Sequence, residues 1–122
     1  MGMRQNIKLV YSNSRTDEDG DTKMLEDVNV IYLYSHWGGD EQYKDSSMAL
    51  GLKRALERKE RWDDESYLAR IIFESVIGDE IGTATGYGLA PYEVDPEFPT
   101  ITVNLHLRTV DGMSYEDFIN AF

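Results

Sequence analysis

The 122-residue sequence contains no cysteine, so disulfide bonds, thiolate metal sites and cysteine nucleophiles are excluded. Histidine is also scarce. The two histidines, His36 and His106, lie far apart, and a metal site would have to recruit a carboxylate from elsewhere. No serine lies in a nucleophile-elbow pattern. From these absences we expect a protein that is not an enzyme and that binds no metal and no cofactor.

Positive charge and long apolar runs are limited as well. No apolar run approaches membrane-spanning length, and the first residues lack a signal-peptide pattern, so we expect a soluble protein. Twelve basic residues against 23 acidic ones give a net charge of −11. Such a surface repels duplex nucleic acid and anionic membranes, so neither is an expected partner. A small anionic ligand is not excluded as a partner, because two or three arginines in a pocket can bind it locally.

The size and the strand patterns predict one domain over residues 1–122. Apolar alternation predicts strands over residues 5–11, 28–34 and 100–110, the first two antiparallel. In the last strand one face is apolar and the other polar. The expected core face comprises Ile101, Val103, Leu105 and Leu107, and the polar face comprises Thr102, Asn104, His106 and Arg108.

The connection over residues 12–27 is long and acidic. Asp17, Asp19 and Asp21 have the alternate spacing of a calcium loop. The glycine falls one place too early, however, and the twelfth loop position is Val28. We therefore expect a solvated hairpin loop.

Two helices are predicted between the strands. Asp45 or Ser46 caps a helix to about residue 59, whose buried stripe is Met48, Leu52, Ala55 and Leu56. Gly51 in this helix indicates a close backbone approach. Asp63 is expected to cap a second helix that ends at Gly78, and the short connection makes the pair a helical hairpin.

Ser114 is expected to begin a short C-terminal helix. Its apolar residues Phe118, Ile119 and Phe122 need a partner surface, either the protein's own sheet or a second subunit. The predicted fold is therefore α+β: a single domain in which a helical hairpin packs on one face of an antiparallel β-sheet, with a short C-terminal helix.

The residue types that recur in the candidate sites suit ligand recognition. Aromatic rings stack on bases, arginines pair with phosphates, and glycine-rich loops expose backbone N–H groups. The candidate binding residues lie in a predicted turn at 35–39, at the basic tip of the first helix, in the glycine-rich loop 82–88 and on the last strand. They are Trp37, Arg58, Arg61, Thr83, Thr85, Gly86, Tyr87, Asn104 and Arg108.

Each of these features also has a purely structural interpretation. Trp37 before two glycines can be a core residue in a plain turn, and cations at a helix C-terminus suit the helix dipole. The glycine-rich loop lacks the Gly-Lys-Ser/Thr ending of a phosphate-binding P-loop and can be an ordinary connection. The polar strand face can simply be solvated.

Several motifs, taken in order, resemble small proteins encoded by bacteriophages. They are Tyr34-Ser35-His36-Trp37-Gly38-Gly39, Arg61-Trp62-Asp63-Asp64, Tyr67-Leu68-Ala69-Arg70-Ile71-Ile72-Phe73 and Thr85-Gly86-Tyr87-Gly88. The family that they most resemble is the first family of Thoeris anti-defence proteins. The resemblance covers roughly residues 28–110.

The resemblance implies a protein that sequesters cyclic ADP-ribose isomers, the signals made by bacterial TIR-domain enzymes, without cleaving them. It also implies the cytoplasm of the host bacterial cell, a homo-oligomer of two or more subunits, and possible binding of cyclic oligonucleotides at a separate site. Two further hypotheses stay open: an acidic protein–protein inhibitor of a host factor, and a small hydrolase acting on a nucleotide.

Overall fold

The computed structural model describes residues 3–11, 14–16, 22–24, 30–39, 47–78, 82–83, 86–94 and 100–121, with the backbone alone for residues 3, 14–16, 22–24 and 36–39. This part of the chain forms a six-stranded sheet, a two-stranded sheet and three helices, which confirms the α+β class. The strands are β1 (Met3–Val10), β2 (Ser14–Thr16), β3 (Thr22–Met24), β4 (Val30–Gly39), β5 (Tyr87–Ala90), β6 (Thr100–Asn104), β7 (Thr109–Val110) and β8 (Met113–Ser114). The helices are α1 (Ser47–Glu57), α2 (Glu65–Ile77) and α3 (Tyr115–Asn120).

The larger sheet has the strand order β5-β4-β1-β6-β7-β8. The pairing of β1 with β4 is antiparallel, as expected. The pairing of β1 with β6 is parallel, with Asn6 opposite Thr100. A parallel neighbour needs a long crossover, and the chain between these strands supplies one through the helical hairpin. The sheet is therefore mixed at its centre rather than antiparallel throughout.

Strand β4 is longer than predicted. The expected turn at residues 35–39 is wrong, because the backbone stays extended there and Gly39 lies opposite Met3 of β1. The register between the strands shifts once, between Met3 and Gln5, as a β-bulge. Backbone pairing with β1 thus prevails over the local preference of glycine for turns.

Strand β6 is shorter than predicted. It ends at Asn104, whose side-chain Oδ1 accepts hydrogen bonds from the backbone N–H groups of His106 and Leu107 at 3.0 and 2.8 Å. This local bonding reverses the chain. Leu107 is consequently 66% exposed, so its predicted core position is wrong, whereas Leu105 is buried. His106 and Arg108 lie in the turn rather than on a polar strand face.

The helical hairpin packs on the sheet through the stripe predicted for α1. Met48, Leu52, Ala55 and Leu56 are fully buried in one core with Ile7, Leu9, Leu33, Ile101 and Val103 of the sheet. The close approach predicted at Gly51 is also confirmed. A Cβ atom there would lie 2.8 Å from the Cα of Val76 in α2.

The boundaries of α2 differ from the prediction by one residue. Asp64, not Asp63, is the N-cap, and its side chain accepts the backbone N–H of Tyr67 at 3.1 Å. The helix ends at Gly78, which has a φ of 56°, as the sequence predicted. The expected caps of α1, Asp45 and Ser46, lie outside the described residues.

Helix α3 begins at its predicted cap, Ser114, which accepts the backbone N–H of Asp117. Phe118 is fully buried in the protein's own core, and Ile119 packs partly against it. These two residues therefore need no second subunit, although an oligomer stays a prediction on other grounds. Phe122 lies outside the described residues.

Strands β2 and β3 pair antiparallel, so the linker after β1 contains a two-stranded sheet of its own, where only a solvated loop between the first two predicted strands was expected. The acidic residues 17–21 lie outside the described residues. No helix in the part of the chain that the structure describes is long and apolar enough to cross a membrane. The same part holds no cluster of three or more histidine and carboxylate side chains placed to bind a metal ion.

Candidate functional site

An open cleft of about 380 Å³ lies where the start of α2 meets the turn between β6 and β7. From the α2 side it is lined by Trp62, Asp63, Asp64, Glu65 and Ser66. From the turn it is lined by Leu105, His106 and Arg108. The volume is within the range of small-molecule sites. Three carboxylates on one side and an arginine with a histidine on the other give this cleft a strongly polar character.

The α2 wall is positioned by the reversal of the chain between α1 and α2. The reversal is held by backbone hydrogen bonds from Lys59 to Leu56 and from Asp64 to Arg61, both 3.0 Å. Lys59 and Arg61 adopt positive φ angles of 53° and 59°. Residues with a side chain rarely adopt this conformation. The surrounding packing therefore holds this reversal in a specific shape.

Trp62 is fixed by α3. Its ring meets the ring of Tyr115 edge-on, with centroids 5.2 Å apart and an interplanar angle of 73°. This arrangement is favourable for two aromatic rings. This contact connects Trp62 of the α2 wall to α3, which follows β8 at the edge of the sheet.

Arg108 stands on the other wall at a φ of 59°. It is exposed, and no hydrogen bond or ion pair joins its guanidinium to another residue in the described ranges. The turn that holds it is built by Asn104, through the two backbone hydrogen bonds described above. Asn104 therefore has a structural role, and among the described residues none occupies the hydrogen-bond donors of Arg108.

Tyr115 packs against Trp62, and charged residues of both walls affect the pKa of its hydroxyl. Burial raises the pKa of its hydroxyl to about 12; the charge of Arg108 lowers this pKa, and that of Glu65 raises it. The hydroxyl of Tyr115 and the indole N–H of Trp62 are both buried and have no hydrogen-bond partner among the described residues. Buried polar groups without a hydrogen-bond partner are uncommon in folded proteins, and two of them belong to side chains in contact at this cleft.

Two of the predicted site residues are engaged in other surface contacts. Arg58 pairs with Glu60 at 3.2 Å and with Glu74 at 4.0 Å. The Arg61 guanidinium lies 4.8 Å from the centre of the Tyr67 ring. Both flank the reversal that leads into Trp62, but neither lines the cleft.

A second set of predicted residues, here called the glycine-rich group, comprises Trp37, Thr83, Thr85, Gly86 and Tyr87. Its described members do not line the cleft. Tyr87 is opposite Ser35 on β5, at one edge of the sheet, and Gly86 precedes it with a φ of 97°. Trp37 lies on the same end of β4 by its backbone position, while its side chain and all of Thr85 lie outside the described residues. Three strands, β4, β1 and β6, separate β5 from β7, so the structure does not bring this group and Arg108 into one pocket. Thr83 is exposed.

Most of the α2 wall was not predicted as part of a binding site. Asp63, Asp64 and Glu65 were interpreted only as capping and first-turn residues, and His106 only as part of a strand face. Trp62 beside Arg61 was the available signal, because a large aromatic at a charged helix tip has no capping function. Tyr115 carried no such signal, since its position behind the cleft depends on the packing of α3.

Neither a protein-family model, nor a curated protein, nor a solved structure matches this chain. The functional interpretation therefore depends on the cleft itself and on the motifs in the sequence. Of the predicted binding residues whose side chains the structure describes, Arg108 is the one that lines the cleft.

Proposed function

We propose that this chain is a binding protein without catalytic activity that sequesters a nucleotide-derived signal, such as a cyclic ADP-ribose isomer, in the cytoplasm of a phage-infected bacterium. Two lines of support are independent. The motifs around Trp37, Trp62 and Tyr87 resemble a phage anti-defence family. The single structural observation that carries the proposal is the cleft, in which Arg108, unpaired among the described residues, lies across from a wall of carboxylates.

The two walls suit different parts of such a ligand. The Arg108 guanidinium offers a fork of donors, which matches a phosphate oxygen pair. Carboxylates accept hydrogen bonds from ribose hydroxyls, and Asp63 and Glu65 are placed on the opposite wall to do so. The part of Trp62 that lines the cleft offers an apolar surface for a ring.

The carboxylates also limit how the ligand can lie. Three acidic side chains against one guanidinium repel a phosphate that approaches the α2 wall. We therefore place the phosphates at Arg108 and the sugars at α2. Asp64 contributes less to binding in this arrangement, because its carboxylate already accepts the backbone N–H of Tyr67.

Calorimetry with a cyclic ADP-ribose isomer tests this assignment. Arg108→Ala is expected to weaken binding by about 2 kcal/mol or more, roughly 30-fold, through the loss of a charge-assisted contact. Arg70→Ala is the matched control, because Arg70 is also an exposed arginine but pairs with Glu74 and does not line the cleft. Unchanged affinity of folded Arg108→Ala would remove the cleft from the binding site.

A second measurement separates sequestration from catalysis. The protein is incubated with the ligand and heated, and the released molecules are identified by mass spectrometry. Intact ligand is expected; products would show a hydrolase. If wild-type protein binds no nucleotide-derived ligand at all, the acidic protein–protein inhibitor becomes the better hypothesis.

The glycine-rich group requires its own variants. Thr83→Val keeps the side-chain shape and removes the hydroxyl. Gly86→Ala adds a methyl group where φ is 97°, so a loss of stability of about 1 kcal/mol is expected. If either variant loses affinity beyond its loss of stability, the glycine-rich loop contacts the ligand and the site extends beyond the cleft.

A further inference from the structure

Asp63 and Arg108 carry opposite charges on opposite walls of the cleft. Both side chains are exposed. The two residues do not form an ion pair with each other, and no residue in the described ranges pairs with either of them. Nearby on the helical hairpin, by contrast, Arg58 pairs with Glu60 at 3.2 Å. Among the described residues, the cleft thus holds one positive and one negative charge that have no counter-ion.

The rest of the charged lining is acidic. Asp64 and Glu65 lie beside Asp63 on the α2 wall, so three carboxylates stand against the one guanidinium of Arg108. The whole chain carries a net charge of −11. A ligand whose only charge is its phosphate is attracted by Arg108 but repelled by the α2 wall. A ligand that also carries a positive charge away from its phosphate is attracted by both walls.

Trp62 indicates which kind of cation fits beside Asp63. Nε1, the one polar atom of its indole ring, is buried, so the part of the ring that reaches the cleft is carbon. An aromatic ring attracts a cation that lies over it, and tryptophan does so most strongly. A compact ammonium group is strongly hydrated and loses water at such a surface. A flat ring with a delocalised positive charge instead suits both the indole ring and the adjacent carboxylate.

The hydroxyl of Tyr115 is a second, independent sign of a ligand in this cleft. Tyr115 is 2% exposed, and its hydroxyl has no hydrogen-bond partner among the described residues. Burial raises the pKa of this hydroxyl, and the charges of Arg108 and Glu65, one on each wall, also change it. The hydroxyl is therefore close to both walls. Buried hydroxyls normally have a partner, and a ligand that spans the cleft would supply one.

We propose that the cleft selects a zwitterionic nucleotide, whose phosphate binds Arg108 while a flat ring with a positive charge lies on Trp62 beside Asp63. The chemical class comprises nucleotides with a pyridinium ring and nucleotides with a purine alkylated at a ring nitrogen. This selection rests on the proposed function, which places the phosphate at Arg108 and the ribose at the α2 wall. It adds the charge of the ring and makes Asp63 the residue that determines specificity.

A matched pair of probes tests the charge of the ring. Oxidised nicotinamide mononucleotide carries a phosphate and a positively charged pyridinium ring. Its reduced form carries the same phosphate and a neutral ring of nearly the same size. Calorimetry gives a Kd for each probe. The oxidised form is expected to bind roughly fivefold tighter or more, through the ion pair with Asp63 and the contact with Trp62.

Three variants assign the preference to one side chain. Asp63→Asn keeps the shape of the side chain and removes its charge, so the ratio of the two Kd values is expected to fall toward one. Asp117→Asn is the control, because Asp117 is also an exposed carboxylate but lies on α3 and does not line the cleft. It changes the net charge equally and is expected to keep the ratio. Arg108→Ala is expected to weaken both probes equally, because they share the phosphate.

The proposal is overturned by equal affinity for the two probes, by tighter binding of the reduced form, by binding of neither, or by a ratio that survives Asp63→Asn. The proposed function has a separate readout, the binding of a cyclic ADP-ribose isomer and its dependence on Arg108. If that isomer binds while the probe ratio is one, the selection for a cationic ring alone is wrong. If the oxidised probe is preferred but the isomer does not bind, the selection stands and the cyclic ligand is wrong.

Discussion

The substitution Gly51→Ala tests the contact between α1 and α2. In an isolated helix this change is favourable by about 1 kcal/mol, because alanine is the better helix former. Here the added Cβ atom would lie 2.8 Å from the Cα of Val76 and 3.2 Å from the carbonyl oxygen of Ser75. Both are backbone atoms of α2, so no side-chain rotation can relieve the overlap. The two helices must move apart.

The magnitude follows from these opposed effects. Overpacking a well-filled core typically costs about 1 to 3 kcal/mol. Because the overlap is with backbone atoms, the cost lies in the upper part of this range, and the gain of about 1 kcal/mol in helix propensity leaves a net loss of roughly 1 to 2 kcal/mol. For a chain of 122 residues this corresponds to a fall in Tm of roughly 3 to 10 °C.

Thermal and urea unfolding, followed by circular dichroism, measure the change. Gly88→Ala is the matched control. A Cβ atom there meets nothing within 4 Å, so a change within about 0.5 kcal/mol is expected. A Gly51→Ala protein that is as stable as wild type, or more stable, would refute the close packing of α1 on α2.

Three further changes test the boundaries of the cleft. Asp64→Ala removes the cap of α2 and is expected to cost about 1 kcal/mol in urea unfolding, whereas Asp63→Ala is expected to cost clearly less; equal losses would contradict the cap assignment. Arg108→Gly relieves a positive φ and is expected to stabilise the fold by about 1 kcal/mol, while it weakens binding of the proposed ligand as Arg108→Ala does; a destabilised variant would contradict the turn geometry. The pKa of Tyr115 is raised to about 12, so its contribution to stability is complete below pH 10 and falls as the pH rises from 10 to 12. Tyr115→Phe is expected to lose less stability than wild type over that range, measured as Tm at pH 9 and pH 11, and an identical loss would contradict the raised pKa.

The helices were predictable because their signals are local. The buried stripe of α1, the stop of α2 at Gly78 and the cap of α3 at Ser114 depend on residues within a few positions of each other. Both wrong boundaries in the sheet arose where local and long-range preferences disagree. Glycines at 38 and 39 favoured a turn, but pairing with β1 keeps β4 extended. Alternation through residues 105–108 resembled a strand, but the side chain of Asn104 turns the chain.

The cleft could be predicted only in part, for a similar reason. Arg108 was predicted from its chemistry, whereas Trp62 was not among the candidate residues, although its position at a charged helix tip was an available signal. Their proximity depends on the parallel pairing of β1 with β6 and on the contact between Trp62 and Tyr115. Neither of these contacts leaves a periodic pattern in the sequence.

The parallel pairing of β1 with β6 also has a consequence for how the protein folds. Asn6 and Thr100 are neighbours in the sheet but are separated by most of the chain. Long-range pairing of this kind requires the closure of a large loop before its contacts form, and it slows folding. β1 can pair with β4 much earlier, but until β6 arrives one edge of β1 is open, with its backbone N–H and C=O groups unpaired. We expect this half-formed sheet to be the state of the chain most prone to aggregation. The last step of folding is then the pairing of β6 with β1 rather than the formation of the helices.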